Sequence, residues 1–128
     1  MLYADSAKLA VFVVWEPVTP GDHAVRLPPM GTLARIGDPR AAQYWDPDRA
    51  LSRRMVAELP KDTLASVAQT GSGAPIAWDC VALFRAGRRW DERFPVPDWA
   101  AWPVLDVADT LALRLRAVQR DASATPAR

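Results

Sequence analysis

Three of the tryptophan–carboxylate pairs in this 128-residue chain could do chemistry together. They are Trp15-Glu16, Trp45-Asp46 and Trp78-Asp79. A carboxylate beside an indole ring could hold a cation or a hydrogen-bond donor against an aromatic wall. The alternative is structural: Asp46 caps a helix, Glu16 is a loop carboxylate, and the rings form a hydrophobic rim. The burial of Glu16 and Asp79 distinguishes the two interpretations.

Cys80 and His23 are the single cysteine and the single histidine of the chain. A nucleophilic Cys80 would need its pKa lowered by a nearby cation or a helix N-terminus. Its place in an alternating apolar segment indicates a buried filler residue instead. His23 follows Asp22 in a proline-rich loop, where such residues are routinely exposed. With one cysteine and one histidine, we expect no disulfide, no structural metal site and no cofactor.

Residues 94 to 103, with the sequence Phe-Pro-Val-Pro-Asp-Trp-Ala-Ala-Trp-Pro, are the best candidate for a partner-binding segment. Prolines lower the entropy cost of presenting Trp99 and Trp102, and tryptophan is common among interface hot spots. The alternative is that both rings fold back over the sheet as a lid. The sequence leaves both possibilities open.

The charge of the chain is balanced, with 16 Lys and Arg against 15 Asp and Glu. Arginines concentrate in two places, at Arg49, Arg53 and Arg54 and at Arg85, Arg88 and Arg89. Helix and turn positions usually place arginine in solvent, so no nucleic-acid partner is expected. Because no apolar run reaches the ~20 residues of a membrane helix and no signal-peptide pattern is present, we predict a cytoplasmic protein with no membrane partner.

The first half of the chain contains the elements that must position these residues. The apolar run Leu9–Trp15 predicts a strand buried on both faces. Helical spacing over Met30–Ile36 predicts two turns of helix ending near Gly37, and a short strand is expected at 41–45. Asp46 then caps a helix that runs to about Leu59. The buried stripe of that helix is Leu51, Met55 and Leu59.

The second half contains a strand predicted over Ile76–Phe84, with Cys80 and Trp78 on one face. A tight turn at Arg85–Arg88 leads to a return strand at 89–90, which predicts a hairpin. Val104-Leu105 is a brief strand or a packed connection, and Asp106 caps a final helix. The stripe of that helix is Val107, Leu111, Leu115 and Val118. We expect one domain over residues 1–120, followed by a frayed tail over 121–128.

This order of elements resembles the thioredoxin core over about residues 8–120. The run 11–15 is similar to the strand that carries the redox motif, and residues 43–55 are similar to the second strand and its aspartate-capped helix. Residues 81–88 resemble the apolar strand and basic-glycine turn of the second half. The resemblance implies an α/β fold, a thioredoxin-like three-layer sandwich in the order β-α-β-α-β-β-α with a mixed central sheet.

Two departures from the thioredoxin pattern bear on function. Trp15-Glu16-Pro17-Val18 stands where the family has Trp-Cys-x-x-Cys, and Ala77-Trp78 stands where it has a cis-proline. Dithiol exchange needs an attacking and a resolving thiolate, and neither is present here. The resemblance therefore implies a redox-inactive member of the superfamily. Short pieces around Trp15, Trp45 and Trp78 are also similar to bacterial hypothetical proteins, from which no function follows.

The resemblance also implies that the three tryptophan–carboxylate pairs meet at one rim of the sheet, beside His23. The leading hypothesis is a noncatalytic protein-interaction module, monomeric or weakly dimeric, that uses the loop of residues 15–30 and residues 94–103. One alternative is a monothiol oxidoreductase or peroxidase that uses Cys80. Another is a small-molecule or metal-binding module at Glu16 and Asp79.

Overall fold

Helices and strands alternate along the described part of the chain, which comprises residues 9–17, 30–64 and 76–124 of a computed structural model. In chain order the elements are β1 (Val11–Trp15), α1 (Met30–Leu33), β2 (Ala41–Trp45), α2 (Ala50–Glu58), α3 (Lys61–Leu64), β3 (Val81–Leu83), β4 (Trp99–Ala101) and α4 (Val104–Ala124). The predicted α/β character is confirmed. Within the described segments, no helix is long and apolar enough to cross a bilayer.

Strands β1 and β2 pair in parallel, with Trp15 opposite Trp45 at their carboxyl ends. Parallel neighbours need a crossover connection, and α1 lies within it. Gln43 ties this crossover to the sheet: its Oε1 accepts a hydrogen bond from Trp15 Nε1 at 3.0 Å, and its Nε2 donates to the carbonyl of Leu33 at 3.1 Å. These bonds place the ends of β1 and β2 side by side.

The expectation that β1 is buried on both faces is wrong. Phe12 is 67% exposed and Val14 is also exposed, whereas the alternate residues of the strand are half-buried. On β2, Tyr44 is 53% exposed and its ring centroid lies 6.4 Å from that of Phe12. An apolar run implies two-sided burial only where other elements cover both faces of the sheet, and here one face is open.

A helix follows Asp46 as predicted, but the N-cap position is occupied by Arg49 and not by Asp46. Asp46 Oδ2 accepts a hydrogen bond from the Leu51 amide at 2.8 Å, which satisfies one of the first-turn amides. The helix itself begins at Ala50, because Arg49 adopts the left-handed conformation with φ 53°. Its buried stripe forms the centre of the core: Met55 and Leu59 are buried, with Leu51, Ala77, Cys80, Phe94 and Ala100 packed against them.

The long strand predicted at 76–84 is interrupted. Residue Asp79 has φ 48°, a left-handed conformation that does not occur within a regular strand, so only 81–83 form β3 and Ile76 makes an isolated bridge. The turn at Arg85–Arg88 is confirmed, with Gly87 at φ 85°. The predicted return strand at 89–90 is wrong.

Strand β3 instead pairs antiparallel with β4, which follows more than ten residues later. Val81 lies opposite Ala101 and Leu83 opposite Trp99. Asp98 holds this pairing at the turn end: its amide donates to the Leu83 carbonyl and its carboxylate accepts from the Arg85 amide, both at 2.8 Å. The hydrogen bonds of Asp98 therefore favour the pairing of β3 with β4 over the predicted hairpin with residues 89–90.

Helix α4 begins two residues before the predicted cap. The backbone amides of Asp106 and Val107 both donate to the Pro103 carbonyl, so Val104-Leu105 are the first turn and not a strand. The helix also continues to Ala124, so residues 121–124 of the predicted tail are helical, and residues 125–128 lie outside the described part of the chain. Of its stripe, Val107, Leu111 and Leu115 are half-buried and Val118 is exposed.

Among the described residues the strands form two separate two-stranded sheets, β1–β2 and β3–β4. They do not form the single mixed sheet that the thioredoxin resemblance implies. Helix α1 is also shorter than predicted: it ends at Leu33, a turn continues to Ile36, and Gly37 does not adopt a positive φ.

Candidate functional site

The carboxylate of Glu16, directly after β1, is bound to the first turn of α2. Glu16 Oε1 accepts a hydrogen bond from the Ser52 amide at 3.1 Å, and Oε2 accepts one from the Ser52 hydroxyl at 2.5 Å. The same hydroxyl oxygen accepts a hydrogen bond from the Ala77 amide at 2.8 Å. Ser52 is fully buried. We call these three groups the carboxylate clasp, since they join β1, α2 and the segment that precedes β3.

Burial is the largest influence on Glu16 and raises its pKa. The hydrogen bonds from Ser52 act in the opposite direction because they favour the charged carboxylate. Asp46 adds a smaller upward contribution and Arg49 a smaller downward one. The net result is a carboxyl group with a raised pKa that is held by donors from one neighbouring residue.

Asp46 and Arg49 complete the surroundings of the clasp. The Asp46 amide donates to the Trp15 carbonyl at 2.9 Å, and its carboxylate accepts the Leu51 amide of α2. Arg49 Nε donates to the carbonyl of the buried Pro17 at 2.7 Å. Glu16 and Asp46 are therefore both hydrogen-bonded within the fold.

Cys80 lies within the core. Its thiol donates to the Ala77 carbonyl at 3.9 Å, and its side chain packs against Met55 and Leu59. Burial raises the pKa of Cys80 to about 11, and the nearby charges of Glu16 and Asp79 act in the same direction. The surroundings of Cys80 thus stabilise the neutral thiol, whereas a nucleophilic cysteine needs surroundings that stabilise the thiolate.

The tryptophans of the three pairs have different surroundings. Trp15 is half-buried and hydrogen-bonded to Gln43, and Trp45 is half-buried with its Nε1 enclosed and without a hydrogen-bond partner in the described structure. Trp78 is 47% exposed, and the adjacent Asp79 is also exposed. The hydrogen bonds of the clasp bring the backbone of the three pairs into one region. Only the third pair, Trp78-Asp79, presents its ring to solvent.

Trp99 and Trp102, predicted to act together, differ in burial. Trp99 lies in β4, is half-buried, and has the guanidinium carbon of Arg114 at 5.1 Å from its ring centroid. Trp102 is 37% exposed. Trp99 thus fits the alternative in which the ring folds back over the sheet as a lid. Trp102 fits the alternative in which the ring is exposed to a partner.

Trp78 and Trp102 lie on neighbouring segments at one end of the β3–β4 sheet. Val81 pairs with Ala101 there, and beyond this pair the Val104 amide donates to the Asp79 carbonyl at 3.0 Å. We call the exposed side chains of Trp78 and Trp102 the indole surface. Leu105 lies in the first turn of α4, three residues after Trp102, and is 87% exposed.

Ser52 is the functional residue that sequence reasoning missed. It is a small hydroxyl residue next to Leu51 on the inward side of α2, and a polar residue at such a position needs a buried partner. That signal could have identified Ser52 as a buried hydrogen-bonding residue. It could not have identified Glu16 as the partner, because the two residues are 36 positions apart.

Metal ligation finds no support in the described segments, where no three His, Cys, Asp or Glu side chains are grouped closely enough to hold an ion. The predicted site residue His23, with most of the loop at 15–30, lies outside the described residues. Comparison with known proteins finds no family model, no curated protein and no solved structure that matches this chain.

Proposed function

We propose that this chain is a noncatalytic binding module that recognises a protein partner through the indole surface. The observation that carries the proposal is that Trp78 and Trp102 are both substantially exposed on adjoining segments at one end of the β3–β4 sheet. Exposed apolar side chains grouped on a surface mark interaction sites, and tryptophan is enriched among hot spots.

The backbone behind the indole surface is held by hydrogen bonds on both sides, which supports the proposal. The Asp79 carbonyl bonds to the Val104 amide, and the Ala77 amide bonds to the buried Ser52 hydroxyl. A surface that is already ordered loses less conformational entropy when it binds. Both rings are therefore presented on segments that require little rearrangement.

We also propose that the architecture is thioredoxin-like and redox-inactive. The parallel β1–β2 pair with α1 in its crossover, the antiparallel β3–β4 pair and the closing helix α4 support this proposal. Glu16-Pro17 follows β1 where the family places its first cysteine. A chain with one cysteine cannot perform intramolecular dithiol exchange.

A monothiol oxidoreductase or peroxidase using Cys80 is the enzymatic alternative, and it makes a different prediction. Because the pKa of Cys80 is raised to about 11, we expect its thiol to react slowly with a maleimide at neutral pH in the folded protein. Labelling in denaturant gives the reference rate. Native labelling as fast as the denatured reference would favour the enzymatic alternative.

A small-molecule or cation site at Glu16 and Asp79 is a weaker candidate. Both carboxylate oxygens of Glu16 already accept hydrogen bonds from Ser52. A ligand would have to displace these bonds and thereby leave a buried hydroxyl and amide to find other partners.

The binding proposal is tested by affinity capture with immobilised protein from native lysate. We compare wild type, the double variant Trp78→Ala/Trp102→Ala and the control Tyr44→Ala, which removes an exposed ring from the β1–β2 sheet. A protein retained by wild type and by the control, but lost by a folded double variant, is the expected result. Equal capture by all three forms would contradict the proposal, and unfolding of the double variant would identify the two rings as core residues.

A further inference from the structure

Helix α4 has a solvent-facing side that lies opposite its half-buried stripe. Each residue of an α-helix is turned by ~100° from the one before, so this side follows from the positions of Val107, Leu111 and Leu115. We call it the outer face of α4, and it consists of Leu105, Asp109, Ala112, Leu113, Arg116 and Arg120. Leu105 is 87% exposed and Leu113 is 62% exposed. Two leucines thus face solvent on a helix whose other apolar stripe already packs against the protein.

The charges along α4 are separated by sign in a way that the single helix does not favour. Asp106 and Asp109 are three residues apart in its first half, and Arg116 and Arg120 are four residues apart in its second half. Both spacings place like charges side by side on the helix surface, which is destabilising. No residue three or four positions from Asp109 or Arg116 carries the opposite charge.

Neither the helix dipole nor the rest of the chain accounts for this pattern. The effect of the dipole falls off within the first and last turns, and Asp109 and Arg116 lie further inside the helix. Among the described residues, the salt bridges are made by other side chains and none includes Asp109, Arg116 or Arg120. The pattern instead fits a second helix that presents the opposite order of charges.

We propose that α4 pairs antiparallel with α4 of a second copy of this chain, outer face to outer face, in a two-fold symmetric dimer. An antiparallel copy of the same helix presents the required reversed order of charges. When Asp109 lies opposite Arg116 of the second copy, symmetry forms the same pair a second time. This alignment also brings Asp106 to within one position of Arg120 of the second copy.

The apolar residues of the outer face fit the same alignment. Leu113 lies opposite Ala112 of the second copy at the centre of the contact, where a small residue accommodates a large one. Leu105 lies opposite Arg120 of the second copy, whose aliphatic stem covers apolar surface while its guanidinium stays in water. With two exposed leucines from each chain, the contact belongs to the small, weak class of interfaces. The dimer uses neither Trp78 nor Trp102 and is independent of the proposed function.

The first test is sedimentation velocity of the full chain over a range of concentrations up to ~1 mM, where weak association is populated. We expect a reversible monomer–dimer equilibrium. A chain that remains monomeric over the whole range would overturn the proposal.

Charge reversal then tests the alignment. Asp109→Arg and Arg116→Asp should each weaken dimer formation by about tenfold, because symmetry turns two attractive pairs into two repulsive ones. The matched control is Arg89→Asp, which reverses an exposed arginine outside α4 and should leave the equilibrium unchanged. Equal weakening by this control would show that net charge alone is responsible, and the proposal would fail.

Recovery of the dimer is the decisive readout. The double variant Asp109→Arg/Arg116→Asp restores both pairs, so we expect dimer formation close to that of wild type. An equimolar mixture of the two single variants should form mixed dimers more readily than either variant dimerises alone, which provides a second test if the double variant does not fold. Circular dichroism checks the folding of each form. Absence of recovery in folded proteins would overturn the alignment.

The apolar part of the contact is tested by Leu113→Ala, with Val118→Ala as its control. Val118 is an exposed apolar residue of the same helix on the side of the stripe, away from the outer face. We expect the first variant to weaken dimer formation and the second to leave it unchanged. Equal weakening by both variants would argue against the outer face. The Trp78→Ala/Trp102→Ala protein should dimerise as wild type does, which separates this test from that of partner binding, and loss of its dimer would likewise overturn the assignment.

Discussion

At the scale of single residues, the role of Glu16 is set by its contact with Ser52. A glutamate after a strand could equally well have remained a solvated loop residue, and its acidity alone assigns no function to it. The burial of Ser52 beneath it makes both residues part of one hydrogen-bonded unit with the Ala77 amide.

Replacement of Ser52 by alanine should lower the free energy of unfolding by about 1–3 kcal/mol, because it leaves the Ala77 amide without its acceptor and Glu16 Oε2 without its hydroxyl donor. Chemical denaturation measures the change. The neighbouring Arg53→Ala, at an exposed position of the same helix, should change stability by no more than about 0.5 kcal/mol. Similar losses in the two variants would show that the clasp contributes nothing specific.

Glu16 should make stability depend on pH in a defined direction. Because its pKa is higher in the folded protein, the native state keeps this proton after the unfolded chain has lost it. Stability should therefore fall as the pH rises from the unfolded pKa to the folded pKa. We expect urea denaturation to show a smaller fall in Glu16→Gln than in wild type across this range. An identical pH dependence in both proteins would contradict the prediction.

At the scale of elements, α2 is the helix that organises the site. Its first turn holds Ser52, its buried stripe forms the core, and its Leu51 amide donates to Asp46. The left-handed Arg49 between Asp46 and the helix directs its Nε to Pro17, which links α2 to the chain that follows β1. The position of α2 therefore determines the geometry of the clasp.

The Asp46→Ala variant should destabilise the protein by about 1 kcal/mol, because the Leu51 amide loses its acceptor at the start of α2. Thermal or chemical denaturation measures this loss. Asp48→Ala removes a neighbouring carboxylate at an exposed position and serves as the control, with little expected effect. If Asp48→Ala destabilises the protein as much as Asp46→Ala does, the loss comes from removing a negative charge near the start of the helix and not from losing the acceptor of the Leu51 amide.

At the scale of the whole molecule, the described residues form two small sheets around a core centred on α2. The β1–β2 sheet leaves one face open at Phe12, Val14 and Tyr44, whereas β3–β4 presents the indole surface at one end. Met55 and Leu59 are the buried apolar side chains at the centre of this core. Much apolar side chain area is thus available for contact with other molecules.

Phe12→Thr should cost less than about 1 kcal/mol, because the ring is mostly exposed and its contact with the Tyr44 ring is a diagonal one across the strands. Val13→Ala, on the half-buried face of the same strand, should cost more. Denaturation of both variants provides the comparison. A larger loss in Phe12→Thr would mean that the face carrying Phe12 is covered.

The predictions that succeeded depend on residues close together in sequence. Pro60 identified the end of α2 and Gly87 the turn after β3, whereas Asp46 and Pro47 predicted a helix start that the structure places three residues later, at Ala50. Caps, prolines and turn glycines act within a few positions, so the chain itself contains the information that they need. The alternating exposure of β1 could not be predicted from neighbouring residues, because it depends on which segments of the chain cover the sheet.

The sequence by itself determined the α/β character, β2, α2 with its buried stripe, and the absence of a second cysteine for dithiol chemistry. Only the tertiary structure decided that Ser52 joins Glu16 to Ala77, that Asp98 brings β4 to β3, and that Trp78 and Trp102 differ in exposure from Trp15 and Trp99. The physical reason is distance along the chain. Burial and hydrogen-bond partners come from segments tens of residues apart, such as the 36 positions between Glu16 and Ser52.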